Sequence, residues 1–310
     1  MSRPWAVSIL ATVTKIRSRD DSHVQDRRGQ GGGGGGVSFP GLGGGGGGLP
    51  FPTKAGGGLL GIIVLLAAVF LPKLLGGQSA VDTGNDNSIE AGGGEACQTD
   101  LEQTLCGAER SAQTFWTEQL PASFNTEYRV TDMVFFSGGT NTGCGAASSQ
   151  TGPFYCPVDE FVYFDLEFLQ QLQEQFEAQG DLAAQYIVAH EFGHHVQNVL
   201  GTSGQVQQQE QANPDLANEY SVALELQADC YAGVWANSEK DRFDSPGEIE
   251  EAINAAEAVG DDRIQQRTEG RIDPESFTHG TSAQRAMWFR QGFSTGDPRR
   301  CNTFAEMSLG

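Results

Sequence analysis

The sequence predicts an α+β fold: a small mixed sheet packed on helices, preceded by a long stretch without globular character. Three observations predict it. Residues 29–58 are dominated by glycine, with two runs of six at Gly31–Gly36 and Gly43–Gly48. Such a composition cannot offset the entropy of ordering and reads as a flexible tether. Two runs rich in β-branched and aromatic residues, Tyr128–Phe136 and Phe161–Leu166, read as strands. Around and after them come segments whose apolar residues recur at helical spacing, as strands followed by helices do in an α+β domain.

Taken in order, residues 1–58 read as a disordered, basic region, with seven Lys/Arg against three acids. Leu59–Leu71 is an uncharged apolar run. Extended across Pro72-Lys73 to Leu74-Leu75, it reads as a single transmembrane anchor over residues 59–75, with Lys73 snorkelling. A signal-peptide core and a buried soluble helix are the competing readings. Basic residues before the run and acidic ones after it predict a cytoplasmic N-terminus and an extracytoplasmic remainder. Residues 76–95 read as a Gly/Asn/Asp/Ser linker, and residues 96–310 as the folded domain.

Within that domain, Leu101–Leu120 has helical spacing around Phe115-Trp116, and Glu167–Gln179 presents Phe168, Leu172 and Phe176 on one side. Asp181 is placed to cap the next helix, which Gly201 closes. Asn213-Pro214 opens another that runs towards Trp235. Gly247–Val259 follows and ends at Gly260-Asp261-Asp262, its glutamates forming a solvated face. Thr281 or Ser282 caps a last helix carrying Arg285 and Trp288.

The net charge is −21, and the residues beyond 58 hold 12 basic against 37 acidic side chains. Such a domain repels phosphate, which argues against a nucleic-acid partner. All six cysteines lie beyond residue 96, an even number that reads as a disulfide set in an oxidising compartment. The favoured pairs are Cys144–Cys156, across a loop rich in Gly, Ser and Thr, then Cys230–Cys301 and Cys97–Cys106.

The chemistry is concentrated in His190-Glu191-Phe192-Gly193-His194-His195. On a helix, His190 and His194 project from one face a turn apart, the spacing at which two imidazoles bind one zinc ion. Glu191 stands beside the metal's open side, placed to take a proton from water. A catalytic zinc normally has three protein ligands. Glu225, four residues before Asp229 in an apolar helical segment, is the candidate third: a buried carboxylate needs a compensating charge. Asp229 then accepts the outer N–H of a ligand histidine and fixes its tautomer. Glu210 and Glu219 are rival third ligands, but neither has a carboxylate partner at that spacing in so apolar a setting.

His190-Glu191-x-x-His194 followed by Glu225-x-x-x-Asp229 resembles the thermolysin-like site of the gluzincin peptidases. The chain as a whole resembles the bacterial neutral zinc metallopeptidases, a membrane-anchored family. The resemblance rests on residues 23–29, 152–157, 189–197, 224–230 and 277–285, and extends from about residue 23 to Phe304. It implies a zincin-like metallopeptidase domain with one zinc ion per chain and a peptide or protein substrate. Thermolysin-like enzymes dock peptides along a sheet edge beside the metal. Gly152-Pro153-Phe154-Tyr155-Cys156-Pro157, whose prolines suit an edge, is the candidate rim, or else a structural turn. They also have a histidine downstream of the glutamate ligand that stabilises the oxyanion. His279 is the candidate for that role, against a structural histidine or a fourth ligand.

The reading is a membrane-anchored zinc peptidase with His190, His194 and Glu225 on zinc, Glu191 as general base and His279 as oxyanion donor. The alternatives are a catalytically silent zinc-binding scaffold of the cell envelope and a zinc hydrolase of non-peptide substrates.

Overall fold

In the computed structural model the described residues are 16–29, 96–170, 181–243 and 246–309. They form the expected α+β arrangement. A four-stranded sheet has the order β1-β2-β6-β5, with β1 Val24–Asp26, β2 Met133–Phe136, β5 Phe154–Cys156 and β6 Phe161–Asp165. The β1–β2 and β2–β6 pairs are parallel, and β5 runs antiparallel to β6. The second strand is shorter than Tyr128–Phe136, since Tyr128 to Asp132 is irregular. The Gly/Thr/Ser segment after β2 forms an antiparallel hairpin, β3 Gly139–Thr142 and β4 Gly145–Ser148.

The helices are α1 Asp100–Phe124, α2 Asp181–Val199, α3 Thr202–Ala212, α4 Ala217–Ser238, α5 Pro246–Ala258, α6 Asp261–Thr268, α7 Ser282–Thr295 and α8 Thr303–Glu306. Two ends carry capping boxes: Thr99 with Glu102 at α1, and Thr281 with Gln284 at α7. Asn213-Pro214 opens a 3₁₀ turn before α4 rather than α4 itself. Gly260-Asp261 does close α5, but Asp261 also begins α6, which the sequence reading passed over. It passed over α3 as well, where Val206 is the one buried residue. Of the helix expected at Glu167–Gln179, only the start, to residue 170, lies within the described residues.

The core joins the sheet face of Met133, Phe135, Val162 and Phe164 to Leu182, Phe192 and Val196 of α2 and to Val234 and Trp235 of α4. The central helix pair is α4 with α7. It crosses on two glycines: a Cβ at Gly292 would lie 1.9 Å from the Cys230 carbonyl oxygen, and one at Gly233 2.0 Å from that of Phe289. The cysteines pair as favoured, Cys97–Cys106, Cys144–Cys156 and Cys230–Cys301.

One boundary needs correction. Residues 1–58 read as disordered, yet 16–29 belong to the folded unit. Ile16 is buried, β1 extends the sheet, and Arg28 reaches the buried Glu102 at 2.5 Å. The glycine-rich composition that motivated the reading begins only after this segment. The expected anchor, residues 59–75, and the linker, residues 76–95, lie outside the described residues. Among the described residues no helix is long and apolar enough to cross a membrane.

Candidate metal centre

Helix α2 carries His190, Glu191 and His194 on the side facing α4. Gly193, inside the motif, lets the two helices meet. A Cβ there would lie 3.0 Å from the Ala228 carbonyl oxygen and 3.1 Å from its Cα. This close approach sets the Glu225–Asp229 turn of α4 against the histidines. His190 Nε2 lies 3.2 Å from Glu225 Oε2, and His194 Nε2 lies 3.4 Å from Glu225 Oε1. Ligand atoms of the three residues all fall within 4.8 Å of one another. Two imidazole nitrogens and one carboxylate oxygen suit zinc and leave a coordination position open. Among the described residues no other such group includes Glu210 or Glu219.

Each histidine has an oxygen behind it. His190 Nδ1 lies 2.9 Å from Asp229 Oδ1, and His194 Nδ1 lies 2.9 Å from Gln197 Oε1. These partners hold the proton on Nδ1 and leave Nε2 for a metal. Asp229, fully buried, is itself held by donors. Tyr186 donates its hydroxyl to Oδ1 at 2.5 Å, and Arg285 donates Nε to Oδ2 at 2.8 Å and Nη2 to Oδ1 at 3.0 Å. Arg285 is likewise buried and donates Nη1 to the Val259 carbonyl at 3.1 Å.

His279 lies on the loop before α7, with Gly280 against the Val222 and Leu226 side chains of α4. Its Nδ1 is 3.0 Å from Asp261 Oδ1. Oδ2 of the same carboxylate accepts the backbone N–H groups of Thr278, His279 and Gly280 at 2.6–3.1 Å. Asp261 thus fixes both the loop and the ring. His279 is not in the three-residue metal group, so a fourth-ligand role has no geometric support.

The electrostatics follow from this packing. Burial opposes charge on His190, but Asp229 and Glu225 outweigh it and push the metal-free imidazole up to about 10. Burial also opposes ionisation of Glu225, yet His194, His190 and His279 hold it well below the usual carboxylate range. Asp229 is lowered, because Arg285 and His190 overcome its desolvation. Glu191 moves the other way: burial pushes it up, with Glu225 adding and the two histidines opposing. A buried carboxyl raised in this way is suited to accepting a proton from water. His279 is raised against its burial by Asp261 and Glu225.

The third histidine of the motif region, His195, faces the sheet. Its Nε2 donates to the Arg129 carbonyl at 2.6 Å, and its Nδ1 accepts the Tyr155 hydroxyl at 3.0 Å. It ties α2 to β5, the sheet edge that carries the candidate rim. Sequence reasoning gave Gln197, Tyr186, Arg285 and Asp261 no role at the metal site. Gln197 follows His194 by three residues, a spacing that places it on the same face. Arg285 directly precedes the apolar run Ala286–Phe289, a setting in which a cation is buried only when paired. Asp261 had no local signal.

The site is therefore a candidate metal centre: two histidines a helical turn apart, a glutamate from a second helix, and an acidic residue within the first motif. The chain belongs to the family described as "Putative neutral zinc metallopeptidase", whose model matches residues 15–304. It is 43% identical over 298 residues to the "Uncharacterized protein YpfJ" of Escherichia coli (strain K12), covering 93% of this chain and 97% of that one. It is 46% identical over 212 residues to the "Uncharacterized protein Rv2575" of Mycobacterium tuberculosis (strain ATCC 25618 / H37Rv), covering 64% and 69%. No solved structure gives a significant match.

Proposed function

We propose that the protein is a zinc-dependent peptidase that uses Glu191 as general base. The observation that carries the reading is the convergence of His190, His194 and Glu225, with Glu191 buried on the same helix as the two histidines. Bound zinc supplies a Lewis acid that polarises a carbonyl and acidifies water. Glu191 takes the proton from the attacking water and passes it to the leaving amine. His279, held by Asp261, donates to the oxygen on which negative charge develops. The main chain of a peptide pairs with the outer side of β5, an edge strand, which gives affinity with little sequence preference. Asp229, Gln197 and Arg285 orient the ligand set. Membrane association through residues 59–75 belongs to this reading. The three disulfides support an oxidising compartment for the zinc domain.

The test is incubation of the purified, zinc-loaded full chain with a diverse peptide library, beside Glu191→Gln. Cleavage by the native protein alone is expected. Equal cleavage by the two proteins removes Glu191 as the base. No cleavage by either, with zinc bound, favours a silent binding protein.

A further inference from the structure

We infer that the N-terminal segment, residues 16–29, is an integral part of the zinc domain and lies on the same side of any membrane as the metal centre. The apolar run at 59–75 then does not act as a single crossing with the N-terminus opposite the zinc domain. Three independent contacts carry this. First, β1 pairs in parallel with β2 over Val24–Met133, Gln25–Val134 and Asp26–Phe135. The Met133 N–H donates to the His23 carbonyl at 2.8 Å, and the Arg27 N–H to the Phe135 carbonyl at 2.8 Å. Second, charged groups join the segment to two helices. Arg17 Nη2 lies 3.0 Å from Asp181 Oδ2 at the start of α2, and Arg28 lies 2.5 Å from Glu102 at the start of α1. Glu102 is itself buried.

The third contact explains a residue. Gly107 sits inside α1, where glycine is among the poorest helix formers. A Cβ at that position would lie 2.7 Å from Arg17 Cα and 2.7 Å from the Ile16 carbonyl oxygen. The glycine stands where the segment crosses the helix, and no helical requirement accounts for it. Gln185 of α2 closes the same contact by donating its side-chain amide to the Ile16 carbonyl at 3.3 Å. A segment held by sheet pairing, ion pairs and a close backbone crossing cannot be separated from the domain by a bilayer. Gly29 and Ala96, the residues on either side of the intervening stretch, thus share one compartment.

The experiment uses the full chain in bacterial membranes. All six native cysteines are disulfide-bonded, so an added thiol reports alone. Ser22→Cys in the segment and Ser294→Cys on α7, both at exposed positions, are treated separately with a membrane-impermeant maleimide before and after lysis of spheroplasts. Labelling of both before lysis is expected, and protection of both until lysis equally supports a shared side. Labelling of one before and the other only after lysis overturns the inference. A second measurement tests the docking itself. On helix propensity alone, Gly107→Ala would raise the melting temperature. Docking requires it to fall, and a rise overturns the assignment.

Discussion

Replacing Asp229 by asparagine isolates the support behind the metal ligands. The side chain keeps its shape and loses its charge. The native carboxylate accepts from Tyr186, His190 and Arg285 through Oδ1, and from Arg285 again through Oδ2. An amide offers one acceptor oxygen and one NH2 group. If the oxygen takes the Oδ1 place, the NH2 faces Arg285 Nε, donor against donor. If the amide is flipped, the NH2 faces His190 Nδ1, and the imidazole must carry its proton on Nε2, where the metal binds. Either way Arg285 loses its close counter-charge, because Glu225 Oε2 is 3.9 Å away. Breaking a buried ion pair by removing one partner costs about 3–5 kcal/mol. In a domain of this size that corresponds to a fall in Tm of about 6–20 °C. Loss of a group that orients a ligand histidine weakens metal binding by roughly 10- to 100-fold. Calorimetric melting of the metal-free protein reads the first effect, and competition with a chromophoric zinc chelator reads the second. An Asp229→Asn protein with native Tm and native zinc affinity would refute the assigned role of the Asp229–Arg285 pair.

Glu225→Ala should lose most of its zinc, measured by metal analysis after gel filtration, and a full complement removes it from the ligand set. His279→Ala should keep zinc while the peptidase rate of the folded protein falls roughly 10²–10³-fold, the loss typical of one oxyanion donor; lost zinc would mark a ligand instead. Because the metal-free His190 titrates at about 10, zinc must displace its proton at neutral pH. Apparent affinity should therefore rise with pH up to that value, by about tenfold per unit per proton released. Calorimetric titrations in buffers of different ionisation enthalpy count the proton, and none released contradicts the charged apo site. Glu109 is buried and pushed up to about 7, above its ordinary value, so it costs stability as pH rises from about 4.5 to 7. Glu109→Gln should raise Tm at pH 8 and change it little at pH 4, as followed by thermal denaturation.

The metal site was legible because its signals are local. His190 and His194 share a helix face by spacing alone, and Glu225 stood out as a charge in an apolar helix. What supports these residues was not legible, because it comes from other elements. Arg285 meets Asp229 only after α7 crosses α4 on Gly233 and Gly292, and Asp261 meets His279 only through the end of α5. The strand β1 was hidden for a similar reason. It is three residues long, half-buried and followed by glycine tracts, and its partner Met133 lies far along the chain. Helix α3 offered no apolar periodicity to read, since its surface is largely glutamine and solvent-facing.

The Cys230–Cys301 bond ties the ligand-bearing helix to the far end of the chain. Cys230 follows Asp229 directly on the ligand-bearing helix, and its partner comes 71 residues later. Gln227 of the same helix donates its side-chain amide to the Cys301 carbonyl at 2.9 Å. Closing a loop of that length removes about 4–5 kcal/mol of unfolded-chain freedom in the entropic account. The covalent link on this helix can form only after residue 301 has been synthesised and the pair oxidised. A nick anywhere in the bridged interval leaves two pieces covalently joined by this bond, which separate on a denaturing gel only after reduction. The covalent lock on the ligand-bearing helix is thus tied to the redox state of its surroundings, through a bond that touches no ligand.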